Sequence, residues 1–116
     1  PSTRRLVLAA MTLSALPAVA PATATTPPPP LPQVSTGRIE RLQIASRHVD
    51  ARPVDVWLPE GGDPARRHAV LYMHDGQMLF DAGTTWNRQA WDVHLAVDRL
   101  MRAGRIPPTI VVGVWN

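Results

Sequence analysis

Polar and apolar residues alternate in two early segments of the chain. Residues 38–46 alternate with a period of two, and so do residues 53–59, where the apolar positions are Val54, Val56 and Leu58. This period is typical of antiparallel strands with one covered face. The short polar joint at residues 48–52 predicts that the two strands form a hairpin.

Two later segments are apolar without alternation. Ala69–Met73 and Thr109–Val114 are short, mostly aliphatic runs. Such runs predict strands that are buried on both faces, as in a parallel sheet.

The segment between these runs predicts a helix over residues 87–103. Its apolar stripe at helical spacing consists of Val93, Val97, Leu100 and Met101. Asn87 is the predicted N-cap and Gly104 the predicted C-cap. A strand–helix–strand unit in this order favours parallel pairing, so the expected fold class is α/β, with the hairpin placed before a parallel unit.

The chain before residue 38 differs in composition. Residues 1–24 combine Arg4 and Arg5 with an apolar core of signal-peptide length, which predicts an export signal cleaved after Ala24. The pattern leaves the general secretory and twin-arginine routes open, and the alternative to a cleaved signal is an uncleaved membrane anchor or a buried helix. Residues 25–37 are rich in proline and threonine and are interpreted as a spacer. The expected location is therefore periplasmic or extracellular, with no membrane association after cleavage.

Charge and cysteine content narrow the possible functions. All twelve basic residues are arginine, and with the two in the leader set aside, ten remain against nine acidic residues. This near balance gives no support to a nucleic-acid partner. The absence of cysteine excludes a disulfide framework, a thiolate zinc site and a cysteine nucleophile within this chain.

The residues after the first apolar run carry a family resemblance. The chain resembles the start of an esterase branch of the α/β-hydrolases at residues 70–77, which include His74-Asp75-Gly76-Gln77, and at residues 79–81, 86–87, 91–92 and 110–116. That branch includes enterochelin-esterase-like proteins and S-formylglutathione hydrolases. The resemblance covers residues 38–116 and implies the N-terminal part of an α/β-hydrolase domain whose remaining strands and helices lie further along a longer protein.

The resemblance implies a serine hydrolase whose catalytic triad is not in this sequence. The fold places its nucleophile in Gly-x-Ser-x-Gly, followed by an acid and a histidine, and none of the four serines has that setting. What the chain can supply is one oxyanion-hole donor from the loop after the third strand. The candidates are the backbone N–H groups of Gln77 and Gly76, with a simple turn at Asp75-Gly76 as the structural alternative.

The other polar and aromatic residues of this region have separate expected roles. His74 and Asp75 are expected to order the loop, although a metal pair joined by His94 or Asp92 stays open. Substrate-pocket candidates are Phe80, Trp86 and Trp91, each of which also suits core packing. No metal and no organic cofactor is expected.

The function expected from the resemblance is an exported carboxylic ester hydrolase that works through an acyl-enzyme on a small-molecule ester. The chain alone is expected to be inactive. A non-catalytic secreted binding module on the same fold and an acyltransferase are the alternatives. Neither the particular ester nor the oligomeric state follows from the sequence.

Overall fold

A computed structural model describes residues 14–22 and 26–116 of the protein. Its regular elements are β1 (Arg38–Ile44), β2 (Arg52–Leu58), β3 (Ala69–Met73), α1 (Val93–Arg102) and β4 (Thr109–Val114), with short 3-10 turns at Gly76–Met78 and Ala82–Thr84. Most of the predicted export signal, including its cleavage site after Ala24, lies outside the described residues. Within the described ranges, no helix combines the length and the apolar character needed to cross a membrane.

The four strands form one mixed sheet in the order β1-β2-β4-β3. β1 and β2 pair as the predicted antiparallel hairpin, with Arg41 opposite Asp55. β4 pairs antiparallel with β2 on one side and parallel with β3 on the other. The predicted hairpin and the parallel strand–helix–strand unit are therefore both confirmed, and the described chain is an α/β arrangement.

The prediction that β3 is buried on both faces is wrong. β3 is an edge strand of the sheet, and Val70, Leu71 and Tyr72 are 40% to 73% exposed. β4 is central but covered on one face only, where Thr109, Val111 and Gly113 are buried. An apolar run thus indicates a strand without showing which face of the sheet other elements cover.

The covered face of β2 carries a charged residue and the largest residue of the strand. Asp55 and Trp57 are fully buried, and they share a face because side chains two apart in a strand point the same way. Val54 is also buried on the opposite face, whereas Val56 and Leu58 are only partly covered. The core on the covered face consists of Ile39, Trp57, Leu79, Phe80, Val97 and Val111.

The helix starts later than predicted. α1 begins at Val93, and the side chain of Asn87 accepts a hydrogen bond from the Gln89 N–H instead of capping the helix. The N–H groups of Trp91 and Val93 donate to the carbonyls of Met78 and Leu79 at 2.9 and 3.1 Å. These tertiary bonds hold the chain before Val93 out of helical geometry.

The predicted stripe of α1 is confirmed only in part. Val97 is buried and Val93 and Met101 pack against the core, but Leu100 is 41% exposed. His94 takes a buried place on this side of the helix.

The predicted helix end at Gly104 is confirmed. Gly104 has a left-handed φ of 66°, and its N–H donates to the Met101 carbonyl at 3.0 Å. The next N–H, of Arg105, donates to the Leu100 carbonyl at 2.9 Å. This pair of bonds is the Schellman arrangement, which a glycine adopts at little cost because it has no Cβ.

The proline-rich segment touches the sheet and loops. We name residues 29–36 the arm. Arg41 donates to the carbonyls of Pro29 and Pro30, and the Gln33 N–H donates to the Asp81 carboxylate at 2.8 Å. Further along the arm, Val34 packs against the core and the Thr36 carbonyl accepts the indole N–H of Trp57 at 2.8 Å. The interpretation of residues 25–37 as a spacer stays a prediction. The contacts of the arm provide a way to test it.

We expect the arm to resist proteolysis because its backbone is held at several points. A broadly specific protease should cut the exposed loop at residues 61–67 well before residues 33–36, since cleavage requires local opening. Asp81→Ala removes the acceptor of the Gln33 N–H and should make residues 33–36 cleavable sooner. Mass spectrometry of the early fragments provides the measurement. Equal cleavage rates at the two segments in the unmodified protein would show that the arm is a free spacer.

Candidate active site

The turn after β3 is formed by His74, Asp75, Gly76 and Gln77, at the carboxyl end of the parallel pair β3 and β4. Asp75 adopts a left-handed conformation, with φ of 55° and ψ of 44°. The Met78 N–H donates to the Asp75 carbonyl at 2.8 Å and closes the turn. The next residues, Leu79 and Phe80, enter the core. The turn is thus anchored on both sides, by a strand before it and by the core after it.

Position 76 requires a glycine because neighbouring atoms lie too close for a side chain. The positive φ of this turn belongs to Asp75 and not to Gly76. A Cβ on Gly76 would lie 2.5 Å from the carbonyl oxygen of Gly113 in β4 and 2.9 Å from Cδ1 of Trp115. Gly113 is also constrained, though less tightly, because a Cβ there would lie 2.8 Å from Cδ1 of Leu79 and 3.0 Å from Cα of Gly76. Two glycines on different elements therefore let the turn lie directly on β4.

The turn presents backbone donors. The N–H groups of Gly76 and Gln77 open the short 3-10 turn, where no acceptor of the turn itself is available to them. Among the described residues, neither group donates a hydrogen bond to another protein atom. These are the two N–H groups that the resemblance nominates as oxyanion-hole donors.

Asn116 holds the turn from the end of β4. Its side-chain amide donates to Oδ1 of Asp75 at 3.1 Å, and its backbone N–H donates to Oε1 of Gln77 at 3.2 Å. The side chains of Asp75 and Gln77 therefore connect the turn to the end of β4. His74 is exposed.

A buried ion pair lies beneath the same end of the sheet. Arg41 binds Asp55 through two parallel hydrogen bonds, from Nε to Oδ1 at 2.7 Å and from Nη2 to Oδ2 at 2.8 Å. The side chain of Asp55 is fully buried and that of Arg41 is 11% exposed. Trp115 donates its indole N–H to Oδ2 of Asp55 at 2.9 Å, and its ring lies under the guanidinium of Arg41, 4.8 Å from the ring centroid.

The aromatic pocket candidates lie in different environments. Phe80 is 2% exposed and belongs to the core, where its ring packs near that of His94. Trp86 and Trp91 are 84% and 54% exposed. The structure therefore gives Phe80 a packing role and leaves the two tryptophans accessible to a ligand.

The metal alternative gains no geometric support. Within the part of the chain that the structure describes, no three His, Asp or Glu side chains are grouped to hold a metal ion. His74 is exposed at the start of the turn, whereas His94 is buried against the rings of Trp57 and Phe80.

His94 makes the fold sensitive to acid. Burial lowers the pKa of His94 below its ordinary value of 6.5, and the carboxylates of Asp92, Asp81 and Asp98 oppose this effect less strongly. Its Nδ1 is buried and has no hydrogen-bond partner among the described residues. Folding therefore favours the neutral ring, whereas the unfolded chain binds a proton near pH 6.5.

We expect the contribution of His94 to stability to be complete above pH 6.5 and to fall as the pH drops from 6.5 toward its folded-state pKa, because there the unfolded chain binds more protons. His94→Phe should lose this part of the pH dependence while keeping a ring beside Trp57 and Phe80. Urea unfolding of both proteins between about pH 5 and pH 8 measures the difference. Parallel stability curves for the two proteins would contradict the expectation.

Three surface depressions lie away from the turn. One of about 350 Å³ is lined by Gly37, Arg38 and residues 58–62 at the opposite end of the sheet. It shares no residue with His74–Gln77. At the turn itself, His74 is exposed and Gly76 is buried.

Sequence reasoning missed the residues that support the turn: Arg41, Asp55, Trp115 and Asn116. One signal was available, because opposite charges at Arg41 and Asp55 fall opposite each other when the predicted hairpin is drawn in register. The contacts of Trp115 and Asn116 had no such signal.

Comparison with known proteins does not place this chain in a family. No family model, no curated protein and no solved structure matches it.

Proposed function

We propose that residues 38–116 are the N-terminal part of an exported serine ester hydrolase of the α/β-hydrolase class. In this proposal the His74–Gln77 turn supplies one half of the oxyanion hole. The observation that carries it is the pair of N–H groups at Gly76 and Gln77, which have no acceptor among the described residues and lie at the carboxyl end of β3 and β4. Open α/β sheets bind their ligands at that end.

The proposed chemistry is acyl transfer. A serine hydroxyl adds to the ester carbonyl carbon, a histidine takes the serine proton, and an acid orients the histidine. The carbonyl oxygen becomes an oxyanion that accepts hydrogen bonds from the Gln77 or Gly76 N–H and from the N–H after the nucleophile. Collapse expels the alcohol with the proton from the histidine, and water then releases the acid and restores the serine.

The turn suits this task because its donors belong to the main chain. Gly76 rests on Gly113, and Asn116 binds the side chains on both sides of Gly76. Donors that are fixed before the reaction stabilise a developing charge without further reorganisation, and losing one typically costs roughly a hundred- to thousandfold in rate. The nucleophile, acid and base belong, in this proposal, to the sequence that follows Asn116.

The proposal is tested by the coding sequence after Asn116 and by covalent labelling. We expect a strand–Gly-x-Ser-x-Gly–helix stretch, followed by an acid and a histidine. A fluorophosphonate should label that serine in the extended protein, and residues 26–116 alone should stay unlabelled. A labelled serine within residues 26–116 would contradict the proposal, and so would an extended protein that lacks the motif, as a binding module would. Product analysis with and without an acceptor alcohol separates hydrolysis from acyl transfer.

A further inference from the structure

We propose that Asp55 is a positioning residue for the His74–Gln77 turn and that it acts through the indole ring of Trp115. The proposal rests on the proposed function only in the role that this function gives the turn. The physical connection from Asp55 to Gly76 can be tested without any reaction.

The first step is that Asp55 is a fixed point. Its side chain is fully buried on the covered face of β2, and both carboxylate oxygens accept hydrogen bonds. Two of these bonds come from the planar guanidinium of Arg41, a geometry that fixes orientation as well as distance. A carboxylate held in this way offers Oδ2 to a third donor in one defined direction.

The second step is that the Asp55 carboxylate fixes the position of the Trp115 ring. The indole N–H donates to Oδ2 of Asp55 at 2.9 Å, and the ring lies against the guanidinium of Arg41. The backbone N–H of Trp115 donates to the Pro53 carbonyl at 3.1 Å, so the residue is also held by β2. Trp115 follows directly after β4, where strand pairing alone no longer fixes a side chain.

The third step is the contact with the turn. Cδ1 of Trp115 lies so near Gly76 that a Cβ on Gly76 would come within 2.9 Å of it. The neighbouring Asn116 binds the side chains of Asp75 and Gln77. Three successive residues of the turn are thus supported by the two residues that follow β4, and the indole of the first of these is fixed by Asp55.

This arrangement explains how a short turn keeps defined donor directions. A site works only when its supporting side chains are themselves held by hydrogen bonds and packing. The neighbouring Asp75 has a left-handed φ, a conformation that persists only when the surroundings impose it.

The test is Trp115→Phe, which removes the indole N–H and keeps an aromatic ring against Arg41 and Gly76. The readout is hydrogen exchange at the Met78 amide, whose bond to the Asp75 carbonyl closes the turn, compared with the Val111 amide in central β4. We expect Met78 to lose roughly ten- to hundredfold protection, as for the loss of a hydrogen bond to a charged group. Val111 should lose several-fold less, because the opening is local.

Trp86→Phe is the matched control, since Trp86 is 84% exposed and the substitution should leave both amides unchanged. Equal losses at Met78 and Val111 in Trp115→Phe would reduce the role of Trp115 to general stability and overturn the proposal. A second measurement needs no variant: the indole proton of Trp115 should exchange much more slowly than that of Trp86, and equal rates would also overturn it. Neither readout depends on ester hydrolysis, so a failed esterase proposal leaves these outcomes unaffected.

Discussion

Asp55→Asn is expected to lower the free energy of unfolding by about 3–5 kcal/mol, the cost of removing one partner from a buried ion pair. The substitution keeps the shape of the side chain but removes its charge. The guanidinium of Arg41, 11% exposed, is then left without a counter-charge, and the indole of Trp115 bonds to a weaker acceptor. Urea unfolding followed by circular dichroism measures the change.

A matched substitution in an exposed ion pair on the neighbouring strand separates the effect of burial on the free energy of unfolding from the effect of pairing. Glu40 forms an ion pair with Arg38 at 2.9 Å, but both side chains are more than half exposed. Glu40→Gln should therefore cost only about 0–1 kcal/mol. Adding Arg41→Leu to Asp55→Asn should recover part of the loss because no unpaired charge then stays buried. The interpretation fails if Asp55→Asn is no more harmful than Glu40→Gln.

Gly76→Ala is the substitution with the next largest expected effect. The added methyl group would lie 2.5 Å from a backbone oxygen of β4, so the main chain of the turn or of β4 must move. Overpacking of this kind typically costs about 1–3 kcal/mol and occasionally more. The movement should also disturb the bonds from Asn116 to Asp75 and Gln77, which amide chemical shifts would report.

The glycines of the chain provide a graded comparison. Gly113→Ala should cost less than Gly76→Ala, because its nearest neighbour is the end of the flexible Leu79 side chain. Gly83→Ala should cost least, since only the Asp81 side chain, 3.1 Å away, must adjust. The expected order of destabilisation is therefore Gly76, Gly113 and Gly83, measured by thermal unfolding. A larger loss for Gly83→Ala than for Gly76→Ala would show that the turn does not lie on β4 as described.

Part of the candidate site could be predicted from the sequence. A polar, glycine-containing turn after an apolar run indicates where the chain leaves the sheet, and Gly76 is the glycine of that turn. The reason for that glycine was not accessible, because its constraint comes from Gly113 and Trp115, 37 and 39 positions further along the numbering. Phe80 could not be separated from Trp86 and Trp91 as a core residue, since all three lie in the same irregular segment.

The sequence by itself determined the elements whose signals are local. The period of the hairpin strands, the parallel strand–helix–strand order and the glycine at the end of α1 all depend on residues close together in the chain. Only the tertiary structure decided which sheet face is covered, that β3 is an exposed edge, that α1 begins at Val93 and that β4 holds the turn. These features depend on contacts between distant residues, such as the Asp55–Trp115 bond across 60 positions. A local sequence pattern does not show which distant residues will be partners.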